Sequence, residues 1–446
     1  MSKSRFPDPL TLLVGCIVLA TILSYLLPAG QYDRREDPST GRQVVVAGSY
    51  HRVDPSPVAA FDMVVAIPRG LAAAADVVFL VFLIGGAFTV VDRTGALRAA
   101  VESLIRRLGD RDVLVIPVVA IPFAIGGTLE NMQEEIIPLI PVLLIVARRL
   151  GFSPLTAVSM SAGAAFVGSA FSPINPFQVG IAQKLAQLPL LSGGGYRTLF
   201  LLVALAGWIW ATMRHATRTR LPVEAIPEDQ STHRSTRSGL VLAIVAVTFG
   251  ILIYGISAHG WDFDHLSALF LIMGIVVGFI GGLGLDGTVR AYVDGFRGMA
   301  YAAILIGFAR AIFVVLEQGR IIDTIVHGLF TPLAGLPVAL SALGMMAAHV
   351  ALHFPVPSVS GHAVLTMPVL VPLSDLLGLS RQVTVLAYQY GAGVCELITP
   401  TNGALMAILA AAGVRFDDWI RFVIPRVLAL WALATAAIVL GTLIGL

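Results

Sequence analysis

Apolar runs follow one another along almost the whole chain. They fall at roughly 10–27, 76–91, 113–127, 134–147, 154–170, 177–186, 196–213, 239–257, 265–283, 298–316, 337–353, 363–377, 383–398, 403–412 and 422–444. A bilayer span takes about 20 mostly apolar residues, so the longer runs qualify and several others fall short. Of the 446 residues, 57% are hydrophobic and 13% charged, with a mean hydropathy of +0.86. No water-soluble fold of this size has the interior to hide that much apolar surface. The chain therefore reads as an all-α polytopic membrane protein, which excludes a cytosolic enzyme and a disordered chain. A net charge of +2 offers no footprint for nucleic acid. The two cysteines, Cys16 and Cys395, lie in apolar runs and give no disulfide framework.

The first run, Leu10–Leu27, reads as an uncleaved span, because it is long for a signal segment and further spans follow. Residues 29–60 are polar and read as a substantial outer loop. With the N-terminus on the cytoplasmic side, 19 Lys and Arg fall inside. They include Lys3, Arg5, Arg93, Arg98, Arg106, Arg107, Arg111, Arg148, Arg149 and five within 214–238, among them Arg234. Nine fall outside or at the outer rim: Arg34, Arg35, Arg42, Arg52, Arg69, Lys184, Arg197, Arg320 and Arg381. This bias supports a multi-pass protein of the cytoplasmic (inner) membrane with a cytoplasmic N-terminus.

The chain also repeats itself. Pro141, Gly151 and Ser153 stand 227 residues before Pro368, Gly378 and Ser380. Without gaps, the same offset lays Ser172-Pro173-Ile174-Asn175 on Thr399-Pro400-Thr401-Asn402, both [Ser/Thr]-Pro-x-Asn late in an apolar segment. An odd number of crossings separates the two copies, so the second is expected to be inverted in the membrane, as in many secondary transporters.

Proline removes a backbone donor and clashes with the preceding turn. Both matched segments are thus expected to interrupt a transmembrane helix, freeing backbone groups that must face protein or a wet cavity. A second matched pair, Gly126–Glu135 and His353–His362, shares character rather than identity, and each stretch reads as the tip of a helical hairpin. Whether 113–150 and 337–377 are re-entrant hairpins or full spans stays open. Ionisable residues inside apolar runs are costly and point to function. They are Glu130, Glu134, Glu135, Glu396, Arg310, His349, His353 and His362, with Glu396 the strongest because it precedes a break. Arg310 could pair with Glu396 or Glu317, or take a substrate carboxylate. His349 and His353 have a spacing that could suit a metal, but no nearby Glu or Cys completes a site, so they read as interior histidines and no metal is expected.

Three stretches carry a family resemblance. They are Gly126-Gly-Thr with Glu134-Glu135, Asn175-Pro-Phe-Gln-Val-Gly-Ile-Ala-Gln183, and Leu365-Thr-Met-Pro with Pro372-Leu-Ser-Asp-Leu-Leu-Gly-Leu-Ser-Arg-Gln382. They resemble the C4-dicarboxylate anaerobic carrier-like family, nearest its YfcC-type, basic amino-acid antiporter-like branch in the ion transporter superfamily. The resemblance implies two inverted repeats, each with a hairpin and an interrupted helix, working as an elevator. Carried over by position, it makes Thr128, Ser358 and Ser360 tip residues, and Ser172, Asn175, Thr399, Thr401 and Asn402 break residues. His362 departs from the small polar residue expected there.

The function expected is a secondary active transporter of small carboxylate-bearing metabolites such as amino acids or C4-dicarboxylates. A channel, or a short-chain fatty acid transporter, is the alternative. The substrate-binding residues expected are Thr128, Asn131, Glu135, Ser172, Asn175, Ser358, Ser360, His362, Glu396, Thr399, Thr401 and Asn402. Several intramembrane Glu against one Arg favour a substrate with a positive amino group, or a coupled cation. No enzyme is expected, because no nucleophile–base spacing supports His349, His353 and Glu396 as a catalytic set. No cofactor is expected, and coupling to Na⁺ or H⁺ is implied. The partners are a small-molecule substrate and membrane lipid, with a homodimer left open and no nucleic acid. The expected division is 1–75 for the first span and outer loop, 76–213 for the first repeat, 214–297 for a linker with two spans, and 298–446 for the second repeat.

Overall fold

The structure is a computed structural model that describes residues 9–38, 42–97, 99, 112–222, 236–259 and 261–446. Lys3, Arg5, Arg98, Arg106, Arg107, Arg111 and Arg234, used above for orientation, lie outside the described residues.

α1 (Pro9–Leu26) is apolar on all sides and turns Leu19, Ile22, Tyr25 and Leu26 outward. Such a surface suits lipid and not water. The polar segment 29–60 contains no span but is more ordered than a loop. β1 (Gly30–Gln31) pairs antiparallel with β4 (His51–Arg52), and β2 (Arg34–Asp37) with β3 (Arg42–Val45). α2 (Ala60–Ala73) and α3 (Ala75–Arg93) follow.

The first hairpin is α4 (Val115–Glu130), a short tip, a tight turn Glu134–Leu139 and α5 (Ile140–Arg149). α6 (Pro154–Ala170) carries a π turn at Ser159–Gly163 and ends at the first break. A further π turn, Pro176–Gly180, leads into α7 (Ile181–Leu185). α8 (Gly194–Arg218), α9 (Thr236–His259), α10 (Phe263–Ile280), α11 (Gly284–Gln318) and α12 (Ile322–Phe330) follow. The second hairpin is α13 (Val338–His353) and α14 (Val359–Leu377). α15 (Arg381–Cys395) ends at the second break, then α16 (Gly403–Ala411) and α17 (Phe416–Leu443) close the chain. Among the described residues, eight helices are long and apolar enough to cross a membrane.

α11 differs from its sequence reading. The apolar run 298–316 predicts an ordinary span, but the helix has 35 residues, about 50 Å at 1.5 Å per residue. Its first turns carry Arg290, Asp294 and Arg297, which end the apolar pattern without ending the helix. Asp294 is held at 2.7 Å by Arg93 of α3. α2, α3 and α16 pack along α11. A Cβ on Gly70 of α2 would stand 2.5 Å from the carbonyl oxygen of Gly307, so the two backbones touch there.

The sequence matches occupy matching positions. Gly151 and Gly378 both adopt φ +69, the left-handed helix ending that glycine permits. One residue on, Phe152 N bonds Ala147 O and Leu379 N bonds Ser374 O, both at 2.8 Å. Ser153 then caps α6 and Ser380 caps α15, while Asn175 and Asn402 cap the segments after the two breaks. Every residue of α15 from Gln382 to Cys395 is buried, and its polar side chains Gln382, Thr384 and Gln389 are hydrogen-bonded within the protein.

Arg197, read in the sequence as a charge outside or at the outer rim, is fully buried at the start of α8, bonded to the side chains of Gln389 and Gln382.

Candidate functional site

The first break runs from Phe171 to Asn175. Ser172 Oγ accepts from the backbone amides of Ile174 (3.1 Å) and Asn175 (2.8 Å) and donates to Thr128 O at 2.7 Å. Asn175 Oδ1 accepts from the amides of Phe177 and Gln178, at 2.9 and 3.0 Å. Its Nδ2 donates to Gly127 O at 2.9 Å. The groups freed by Pro173 and Pro176 are thus partly re-paired inside the protein, as lipid surroundings require. Thr128 Oγ1 donates to Ala124 O (2.7 Å) and Gly168 O (3.1 Å), where α4 and α6 cross.

The second break is built alike. Thr399 Oγ1 donates to Cys395 O at 2.7 Å, and Asn402 Oδ1 accepts from Leu405 N at 3.1 Å. Thr401 Oγ1 donates to Phe354 O at 2.6 Å. Gly127 and Phe354, the carbonyls that hold the two breaks, also stand 227 residues apart. Each interrupted helix is therefore clamped to the end of its own hairpin's first arm. Trp419 Nε1 satisfies Leu397 O at 2.7 Å, and Trp208 Nε1 satisfies Ser159 O at the π turn of α6, at 2.9 Å.

The halves meet at the first tip. Asn131 takes a left-handed conformation, φ 58, and its Oδ1 accepts from Ser169 Oγ and from Gln178 Nε2. Gln133 Nε2 donates to Glu396 Oε1 at 2.7 Å, and Asn402 Nδ2 donates to Gln133 Oε1 at 3.3 Å. Gln178 Nε2 reaches the other Glu396 oxygen at 3.5 Å. Glu396 is buried, and the side chains bonded to it are amides.

Both tips and the second break line one cavity of about 700 Å³, within the range of small-molecule sites. Seven of the residues expected at the site line it: Asn131, Glu135, Ser358, Ser360, Glu396, Thr401 and Asn402. Thr128, Ser172, Asn175, Thr399 and His362 are not on its wall. The first four use their polar atoms on the backbone bonds above, and His362 Nε2 is paired with Val356 O at 2.8 Å behind the second tip. Gln133 and Gln178 were not singled out in the sequence. Neutral amides break no intramembrane charge rule, and only their place beside Asn131 and Asn175 hints at them.

Six carboxylates line the cavity: Asp76, Glu130, Glu134, Glu135, Asp262 and Glu396. The one basic residue on its wall is Arg310, which pairs with neither Glu396 nor Glu317 among the described residues; its guanidinium stacks 4.9 Å above the Phe313 ring. Among the described residues no group of three or more His, Cys, Asp or Glu is placed to hold a metal ion. His349 is paired with Met345 O and Thr366 Oγ1, at 2.7 and 3.0 Å.

The sequence profile described as the C4-dicarboxylate anaerobic carrier (DcuC) matches residues 6–443. An Escherichia coli (strain K12) protein named "Putative basic amino acid antiporter YfcC" is 30% identical, with 98% of this chain and 96% of that protein covered. A Haemophilus influenzae protein described as uncharacterized is 28% identical, over 95% of this chain and 94% of its own. Two solved structures align over most of their length at 17% identity. They are the Alcanivorax borkumensis YdaH transporter, with TM-score 0.45 and 99% of each chain covered, and Neisseria gonorrhoeae MtrF, with TM-score 0.43 and 98% and 95% covered.

Proposed function

The chain belongs to the C4-dicarboxylate anaerobic carrier family of membrane transporters, and from that premise we propose that it is a secondary active antiporter of amino acids with a cationic side chain. The observation that carries this reading is the charge of the cavity, where six carboxylates stand against one arginine. A dicarboxylate would find one arginine among six acidic groups, whereas a ligand with two positive groups and one carboxylate finds acceptors for the first and the arginine for the second. The description of the Escherichia coli relative agrees with this reading.

The sequence holds no GxxxxGK[ST] phosphate loop, so we take the driving force to be Na⁺, H⁺ or the counter-substrate. The matched caps and clamps of the two breaks support reading 76–213 and 298–446 as inverted repeats. The remaining segments, 1–75 and 214–297, would serve as the scaffold. An elevator movement of the hairpins would then open the cavity to either side. The membrane we assign is the cytoplasmic one, with the N-terminus inside.

The test is exchange by the purified full chain in proteoliposomes. Vesicles loaded with unlabelled arginine or ornithine are expected to take up labelled arginine, and vesicles loaded with succinate are not. Succinate exchange that exceeds arginine exchange under every ion gradient would replace this reading, and no exchange of either would remove it.

A further inference from the structure

A second cavity, of about 550 Å³, adjoins the central one. It lies between α11, the start of α14 and the small sheets of segment 29–60, which supply Gly30, Gln31 and Arg34. Arg310, Phe313, Val356, Ser358 and Ser360 line both cavities, so the two share that wall. The charge changes sign between them. Arg34, Arg310 and Arg320 line the second cavity against Glu317 and Asp323. Asp323 is already engaged at the rim, accepting from Tyr32 N at 3.0 Å and from Arg34 at 2.9 Å.

Arg310 stands at the junction. Arg34, Arg93, Arg220, Arg381 and Arg415 each hold an aspartate within 2.9 Å. Arg310 is exposed to the cavities and has no carboxylate partner among the described residues, although six carboxylates line the same space. An arginine in the middle of a span is costly unless it serves a ligand or a wet path. Its planar fork fits a carboxylate with two parallel hydrogen bonds, which an ammonium cannot supply.

We propose that Arg310 anchors the substrate's carboxylate at the junction of the two cavities, with the arginine-lined cavity as the approach and the substrate's cationic end directed at the carboxylates of the first tip. This rests on the amino-acid reading above and deepens it. The ligand class it selects is an α-amino acid with a cationic side chain. The corresponding decarboxylated amine is rejected for want of the anchored group, although it keeps both positive charges.

The experiment measures labelled arginine exchange by the full chain in proteoliposomes, with arginine, argininamide and agmatine as competitors. In the unchanged protein, arginine is expected to compete at about 10- to 100-fold lower concentration than either analogue, the range for a charge-assisted hydrogen bond. Arg310→Gln is expected to raise KM for arginine by a similar factor, leave competition by agmatine unchanged and so bring the ratio near one. Arg310→Lys is expected to fall between. An arginine-to-agmatine ratio that persists in Arg310→Gln would overturn the proposal. If Arg310→Gln fails to fold, the same ratio is read in Arg310→Lys by thermal shift, and an undiminished preference there overturns it equally. If the unchanged protein exchanges succinate and not arginine, the amino-acid reading fails, and the anchor is tested by succinate against its diamide. Absence of stabilisation by any carboxylate would remove both.

Discussion

Gln133 donates a hydrogen bond to Glu396 across 2.7 Å and so joins the first hairpin tip to the second break. Glu396 is 3% exposed, so its oxygens depend on protein partners. An intramolecular hydrogen bond contributes about 0.5–1.5 kcal/mol net, and leaving its buried partner unpaired costs about 1–3 kcal/mol. Gln133→Leu keeps the volume and removes the donor, and exchange is expected to fall about tenfold or more. Glu396→Gln is expected to change the pH or ion dependence of transport. The double variant should lose less than the sum of the two, because the residues share one interaction. Additive losses, or an unchanged pH and ion dependence in Glu396→Gln, would count against the joint role.

Asn175 and Asn402 hold the same position in the two breaks but carry different duties. Losing an N-cap costs about 0.5–2 kcal/mol. Asn402→Ala is therefore expected to loosen the start of α16 and release Gln133. Asn175→Ala loses its cap and the bond to Gly127 O together. Asn175→Ser keeps a capping oxygen and loses the bond to Gly127 O, so it should recover folding more than exchange. Both Ala variants are expected to express and insert with sharply reduced uptake, and full uptake in both would refute the placement of the site.

These two asparagines are legible in the sequence because proline beside a capping residue, repeated in register, is a local chemical signal. Glu396 is legible for the same local reason, an acid in an apolar run. Gln133 and Arg197 are not. Gln133 is a neutral amide in a polar tip, and its partner lies 263 residues away. Arg197 begins an apolar run and so reads as a rim charge, yet acceptors 185 and 192 residues distant draw it inside. Hydropathy also loses the first turns of α11, where an ion pair with α3 carries the helix past the apolar core. Local pattern thus yields spans and breaks, whereas contacts between halves need the folded chain.

The crossing of α4 and α6 depends on two glycines. A Cβ at Gly127 would lie 2.0 Å from Ala165 O, and one at Gly168 would lie 2.2 Å from Ala124 O. Backbone cannot yield as a side chain can, so Gly127→Ala and Gly168→Ala are each expected to cost about 1–3 kcal/mol or more and to lower the melting temperature. Gly207, within α8, has nothing within 4 Å of a built Cβ. Gly207→Ala should be neutral or stabilise by up to about 1 kcal/mol. Equal melting temperatures for all three variants in detergent would contradict this close approach.

Arg197 is fully buried and donates to neutral acceptors. Nε donates to Gln389 Oε1 at 3.1 Å, and the two terminal nitrogens donate to Ser192 O at 2.8 Å and Gln382 Oε1 at 3.1 Å. Gln389 in turn donates to Ser172 O at 2.8 Å, inside the first break. The arginine therefore orients an amide that holds a break in the opposite half of the chain. Arg197→Met would strand two acceptors, Gln389 Oε1 and Gln382 Oε1, while Ser192 O keeps Gln183 Nε2 at 2.8 Å; breaking such a network costs about 1–3 kcal/mol for each group left unpaired, so both melting temperature and uptake should drop. A lysine ammonium cannot span both amide oxygens, which makes Arg197→Lys intermediate. Gln389→Ala removes the link to Ser172 and leaves Arg197 its other two acceptors, and it is expected to lower uptake several-fold with a smaller loss of melting temperature than Arg197→Met. Uptake in Gln389→Ala that matches the unchanged protein would show that the buried arginine only packs and does not position the break.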